Sequence, residues 1–343
     1  MGLTRVFGAV LLAGLTAVSM AAPAFAEDDD DVGASSGSTF RRASFTVVME
    51  NDKFNGTDKW YTSGVKLIFS KPAPAPDFVF APLVSANRWT FGEAGRSRWE
   101  LALGQNIYEP SDESLNPPDP KDRPYAGWLY LSALAVTENR YAQNTLEIQA
   151  GVVGPAALGE QIQDITHNLI GSNKSMGWDH QLSDEPGLLI GLSRRWRTPP
   201  LELTRSIGLD LVPHVNVAVG NVQTYAGAGA LLRLGNKLDA DFGLPRVRPA
   251  GSAPVPVVRR GGGWYVFTGV EGWASARDVF LDGNTFEDSP SVDKKPLVAE
   301  FNVGFVVYAV GMRFNATYVK RSEEFDGQPQ AFEYGSAALT FNF

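Results

Sequence analysis

The chain closes with Ala337-Ala338-Leu339-Thr340-Phe341-Asn342-Phe343. Ala337, Leu339, Phe341 and Phe343 recur with a period of two, which places them on one face of a β-strand. An ordinary closing strand seldom carries its last apolar residue at the end of the chain. A final strand ending in Phe has the form of the closing strand of a bacterial outer-membrane barrel, whose apolar face meets lipid.

The same period recurs upstream. Trp99 to Gly104 and Thr145 to Ala150 alternate, as do Ile207, Leu209, Leu211, Val215, Val217 and Val219 against Gly208, Asp210, His214 and Asn216. In a barrel, Asp210, His214 and Asn216 would face the lumen. Strands are expected at 43–50, 60–71, 97–108, 125–138, 142–153, 185–197, 203–219, 222–234, 262–275, 297–308, 310–321 and 332–343. Twelve is even, as single-chain bacterial barrels require, and most segments reach the roughly 9–11 residues that a tilted strand needs to cross a bilayer. Trp60, Tyr61, Tyr108, Tyr125, Trp128, Tyr130, Trp264, Tyr265 and Trp273 recur near strand ends and read as interface girdles. The predicted fold is all-β: a twelve-stranded antiparallel transmembrane β-barrel over 41–343, with a short helix in an extracellular connection. A soluble periplasmic β-sandwich binding a glycan fits the alternation, but not the terminal Phe or the aromatic pattern.

The other end of the chain sets the compartment. Arg5, the apolar run Val6 to Met20 and Ala24-Phe25-Ala26 form a signal peptide over 1–26. The acidic run Glu27 to Asp31 and the Gly/Ser stretch after it form a leader over 27–40 that reads as disordered. Cysteine is absent, which suits a bacterial envelope protein better than a secreted eukaryotic one. The net charge of −8 argues against nucleic acid as a partner.

With a periplasmic N-terminus, every odd-numbered connection lies outside. The first connection follows Met49-Glu50-Asn51-Asp52, the third runs from Glu109 to Pro124, and the fifth runs from Gly154 to Asp184. The polar sequences that look like chemistry therefore gather at one end. Connections 2 (about 72–96) and 8 (about 235–261) run against the pattern, being long and Pro/Gly-rich where periplasmic turns are usually short.

Three histidines occur: His167, His180 and His214. Ala157 to Ile170 reads as a helix, with Leu158, Ile162, Ile165 and Leu169 at helical spacing. Gln163 and His167 are four apart and share a face, with Glu160 and Asp164 beside it. A histidine there can serve as a general base or be a surface residue without a role. The chain has no G-x-S-x-G and no H-E-x-x-H. The hard oxygen donors Asn51, Asp52 and Thr62 suit calcium, and histidine with calcium is a coherent pairing for ester hydrolysis.

The chain resembles the outer-membrane lipid A 3'-O-deacylases. The residues that carry the likeness are Glu50-Asn51-Asp52, Tyr61-Thr62-Ser63-Gly64, Gln105 to Ser111, Asp122-Arg123-Pro124-Tyr125-Ala126-Gly127-Trp128, Gly151 to Pro155, Glu160 to Gln163 through His167 to Gly171, Trp178, Gln181 and Gly220-Asn221. The resemblance implies a calcium-dependent, histidine-based site near the outer rim that removes the 3'-linked acyloxyacyl chain from lipid A. It makes His167 the base, Asp52 and Asn51 the calcium or oxyanion side, and Thr62 and Gln163 supporting polar groups. Arg123, Lys121 and Lys174 become candidates to hold lipid A phosphates. Asn173 stands where the family pattern has an acidic residue. The implied partners are lipopolysaccharide, outer-membrane lipid and, through the C-terminal strand, the barrel-assembly machinery. The alternatives are a phospholipid esterase and a non-enzymatic barrel, either a small channel or a structural protein.

Overall fold

Alternation along the sequence becomes alternation in burial. A computed structural model describes residues 43–52, 60–72, 80–91, 95–170, 174–248 and 262–343; the expected signal peptide, the expected leader and Asn173 lie outside them. Twelve long strands form one antiparallel ring: β1 (Ser44–Asn51), β2 (Trp60–Pro72), β3 (Arg96–Glu109), β4 (Ala126–Glu138), β5 (Ala142–Val153), β6 (Glu185–Trp196), β7 (Gly208–Gly220), β8 (Gln223–Gly235), β9 (Gly263–Asp278), β10 (Leu297–Ala309), β11 (Met312–Arg321) and β12 (Phe332–Asn342). The terminal strand that suggested a barrel closes it, pairing with β1 from Ser44–Asn342 to Asn51–Gly335. Every backbone donor along the ring can then be satisfied without a free edge, the condition for crossing a bilayer with strands. Leu101, Leu103, Leu131, Val217, Val270 and Phe305 stand exposed on the outside as the apolar belt.

Three differences from the sequence reading have physical causes. β7 starts at Gly208 rather than 203, because Leu203 and Thr204 turn back to donate to the Ile207 carbonyl and Leu201–Glu202 pairs with Leu209 and Gly208. Connection 2 contains a helix, α1 (Phe80–Phe91), on the outside of the wall: Phe80 stacks on Trp99 at 4.5 Å, and Leu83 and Val84 pack on Ala135 and Leu146. The aromatic girdle is corrected for most of its members. Tyr61, Tyr108, Trp128, Tyr130 and Tyr265 are buried on the lumen side and Trp60 and Tyr125 are buried at the rim, whereas Trp264 is the member of that set exposed on the wall. Strand parity turns Tyr61, Tyr108, Trp128, Tyr130 and Tyr265 inward, where a twelve-stranded lumen has room for them.

The lumen is filled rather than open. Lys66 pairs with Glu147 at 2.9 Å, and Arg233 with Asp210. The described part of connection 8 turns into the barrel. Asp241 accepts from Arg233 at 2.6 Å, from the Tyr265 hydroxyl at 2.9 Å, from Arg313 at 3.2 Å and from Tyr308. Further on, Arg246 donates to Glu50 at 2.7 Å, the Val247 carbonyl accepts from the Tyr130 hydroxyl at 3.2 Å, and Arg248 pairs with Glu271. Asp210 lies near the end of the barrel that carries the chain termini and Glu50 near the opposite, distal end, so the segment from Asp241 to Arg248 climbs most of the lumen. Gly64 makes room for it: a Cβ there would fall 3.0 Å from Val247 and 2.0 Å from the Tyr61 hydroxyl.

Removing one member of a buried ion-pair cluster leaves the others uncompensated. Asp241→Ala is expected to lower barrel stability by about 3–5 kcal/mol, read as a lower urea midpoint for the loss of heat-modifiable mobility on a gel.

Candidate functional site

Asn51 ends β1, and its partner on β2 is Ser63. Trp60, at the start of β2, pairs with Glu109 at the end of β3. The distal ends of three consecutive strands thus bring Asn51, Thr62 and Glu109 to one rim. A register shift between Tyr61 and Ser63 decides which way they face. Below it Gly64 and Lys66 point into the lumen, and Tyr61 also turns inward to donate to Glu50 at 3.1 Å. The extra residue of the bulge, Thr62, is thereby turned outward, the re-aiming that bulges near functional sites provide. Trp60, immediately before it, holds a left-handed φ of 70° and is anchored by its indole N–H on Asp122 at 3.2 Å. Backbone held in that sparsely populated region clusters at functional sites.

On β3 the exposed residues Leu101 and Leu103 set the outward parity, so Gln105, Ile107 and Glu109 also face out. They are covered by connection 5, whose helix α2 (Gly159–Ile170) lies across the distal ends of β3 and β4. Ile107 packs with Tyr125 and Trp178, and Gln105 donates to the Ala157 carbonyl at 2.6 Å. Gly127 permits the approach: a Cβ there would sit 3.0 Å from Ala157 and 3.3 Å from the Gly159 nitrogen.

Gly159, Gln163 and His167 form the buried stripe of α2; His167 is 3 % exposed and Gln163 2 %. The link from helix to wall is Glu109, which is wholly buried. One carboxylate oxygen accepts from the Thr62 hydroxyl and the other from the Gln163 side-chain amide. The Gln163 carbonyl oxygen accepts from the Trp178 indole at 2.6 Å, which fixes the orientation of its amide. Ser175 donates to Glu113 at 2.7 Å and lies 3.4 Å from Glu109. Asp52, next to Asn51, is fully buried.

The structure therefore brings Asn51, Asp52, Thr62, Gln163 and His167 to the same end of the barrel, with Thr62 and Gln163 joined through Glu109. The three predicted phosphate ligands differ in their surroundings. Arg123 is 1 % exposed, pairs with Glu324 at 3.1 Å and lies over the Tyr108 ring, on the lumen side of the wall. Lys121 is exposed in connection 3. Lys174 is exposed and bound to Asp164 at 2.7 Å, a hydrogen bond and charge that raise its ammonium above the ordinary lysine value. Sequence reasoning missed the role of Glu109. It stood inside a quoted motif, but nothing in its spacing tied it to Gln163, 54 positions away.

The donors at this rim fit a hard cation by type. Asn51, Asp52, Thr62 and Glu109 offer amide, hydroxyl and carboxylate oxygens, which calcium accepts together with main-chain oxygens and water. Among the described residues no group of three or more His, Cys, Asp or Glu side chains is arranged to hold a metal ion, so an ion at this rim would also need amide, hydroxyl, main-chain or water oxygens.

Comparison with known proteins agrees with this architecture. LpxR from Salmonella typhimurium superposes with a TM-score of 0.70 at 22 % identity, covering 88 % of this chain and 100 % of that one. The β domain of the Bordetella autotransporter BrkA is less similar, with a TM-score of 0.44 at 11 % identity over 88 % of this chain and 98 % of that one. No curated protein matches significantly. The model of the family described as outer membrane protein LpxR matches residues 11–343. The chain is thus an outer-membrane barrel that belongs to the LpxR family.

Proposed function

We propose that this barrel is a lipid A deacylase that removes the 3'-linked acyloxyacyl chain by calcium-assisted, histidine-activated attack of water on the ester. The observation that carries the reading is the placement of His167: buried on α2, one turn from Gln163, against the outer wall at the rim that holds Asn51 and Asp52. A site on the outer wall is reached from the lipid leaflet, where an acylated substrate resides. The filled lumen argues against the channel alternative.

In this reading His167 takes a proton from water, the resulting hydroxide attacks the ester carbonyl, and the bond to the sugar oxygen breaks. The proton then passes from the imidazolium to the departing alkoxide, leaving a free 3'-hydroxyl and a carboxylic acid, which gives up its proton to bulk water. Asn51 would donate its amide to the developing oxyanion. Thr62 and Gln163 are positioning residues, because their donors are engaged by Glu109. Asp52 with Asn51 would hold calcium, which when bound polarises the carbonyl. Lys174 and Lys121 remain candidates for substrate phosphates. Arg123, buried with Glu324, is assigned instead to the distal mouth of the lumen.

Mass spectrometry of lipid A from a Gram-negative host expressing the protein tests this directly. Wild type with calcium is expected to lower the lipid A mass by one acyloxyacyl unit. His167→Ala should slow that change by roughly 10²–10⁴-fold while keeping heat-modifiable mobility; full activity in the folded variant would remove the mechanism. Asp52→Ala should behave as chelator treatment does, and normal activity at low calcium would rule out a metal at that residue. Glu109→Gln loses one of its two carboxylate acceptors and is expected to cost about 10²-fold through misplacement of the helix, with folding intact. Release of acyl chains from phospholipid with lipid A untouched would favour the esterase alternative.

A further inference from the structure

The two sides of α2 differ. With the Gly159–Gln163–His167 stripe against the wall, about 100° per residue places Glu160 and Asp164 along one flank, with Lys174 bound to Asp164. Leu158, which precedes the helix, and Ile162 lie along the other flank, and Ile165 stands next to them on the face turned away from the wall. All three are exposed, Ile165 at 56 %. A helix lying on a wall with charge along one edge and branched apolar residues along the other has the form of an interfacial helix, one edge in water and one in hydrocarbon.

The height of α2 on the wall supports the same placement. β3 carries both outer-wall helices: α1 covers Trp99, and connection 5 covers Ile107. Between them Leu101 and Leu103, with Leu131 on β4, are bare. Connection 5 covers Gln105 as well, so the bare stretch from Trp99 to Gln105 spans roughly 20 Å of strand, short of the roughly 25 Å apolar band of an outer-membrane barrel even before strand tilt. The two helices thus bracket the lipid belt; Lys174, paired with Asp164, leads into Ser175, which donates to Glu113 of connection 3, so the charged edge of α2 faces the loops and its apolar edge faces the belt. α1 also carries Trp89, 87 % exposed, a residue type enriched at membrane interfaces.

We propose that the Leu158–Ile162–Ile165 flank of α2 is inserted among the acyl chains of the outer leaflet, so that α2 is a membrane-anchored wall of the rim pocket. This placement does not depend on the hydrolase reading, because it rests on the exposed flank and its continuity with the belt.

The absence of cysteine makes the test direct. Ile165→Cys on the apolar flank and Asn168→Cys on the exposed polar side, each labelled with an environment-sensitive nitrobenzoxadiazole dye, are reconstituted in phosphatidylcholine vesicles with or without acyl-chain nitroxide lipid. The expected result is blue-shifted emission at 165 quenched several-fold more strongly by the nitroxide than emission at 168, independent of protein density. Equal, water-like emission at both positions overturns the proposal. So does a blue shift at 165 that appears only at high protein-to-lipid ratio, which would point to a second copy of the chain on that face. Ile162→Cys serves as the apolar-flank probe if the labelled 165 variant loses its folded mobility.

Discussion

The outward pair of hydrogen bonds on Glu109 is the constraint on which the rest of the rim depends. Its carboxylate joins Thr62 of the wall to Gln163 of α2 in a place from which solvent is excluded. A buried carboxylate without such donors would be costly; with them it fixes the helix at one height and one rotation. Those two settings decide where His167 stands relative to Asn51 and Asp52. The bulge at Tyr61–Ser63 makes the clasp possible, because only the extra residue turns Thr62 to the same side as Glu109.

The filled lumen complements that arrangement. Asp241 gathers two arginines and two tyrosines near the proximal end, and Arg246 reaches Glu50 one residue below Asn51. The strand tip that presents the oxygen donors is therefore held from inside by the lumenal segment, while the helix is held from outside by Glu109. In the proposed function the chemistry takes place on the outer wall, where the adjoining phase is the leaflet.

Much of this was legible in the sequence. The period of two, the even strand count and the terminal Phe led to a closed barrel, and strand boundaries fell within a few residues of those observed. Four-residue spacing placed Gln163 and His167 on one face, and parity put them at the rim of Asn51 and Thr62. What the sequence hid depends on three-dimensional pairing. Glu109 reads as a strand end, the bulge leaves no mark in composition, and most of the aromatic residues taken for a girdle, Tyr61, Tyr108, Trp128, Tyr130 and Tyr265 among them, belong to the lumen because register, not proximity to a strand end, sets their side. Connection 8 reads as a Pro/Gly-rich loop, yet its Arg246 and Arg248 are matched to Glu50 on β1 and Glu271 on β9.

The most direct measurement of the central claim is the distance between α2 and the wall. Nitroxides at Thr166→Cys on the exposed side of α2 and Leu131→Cys on β4, in the otherwise cysteine-free chain, report it by pulsed dipolar spectroscopy in the reconstituted barrel. A single narrow distribution that broadens when Glu109 is replaced by Ala is the predicted result. A distribution already broad in the unsubstituted background, or one indifferent to Glu109, would mean that the clasp does not seat the helix and that the rim pocket is not built as described.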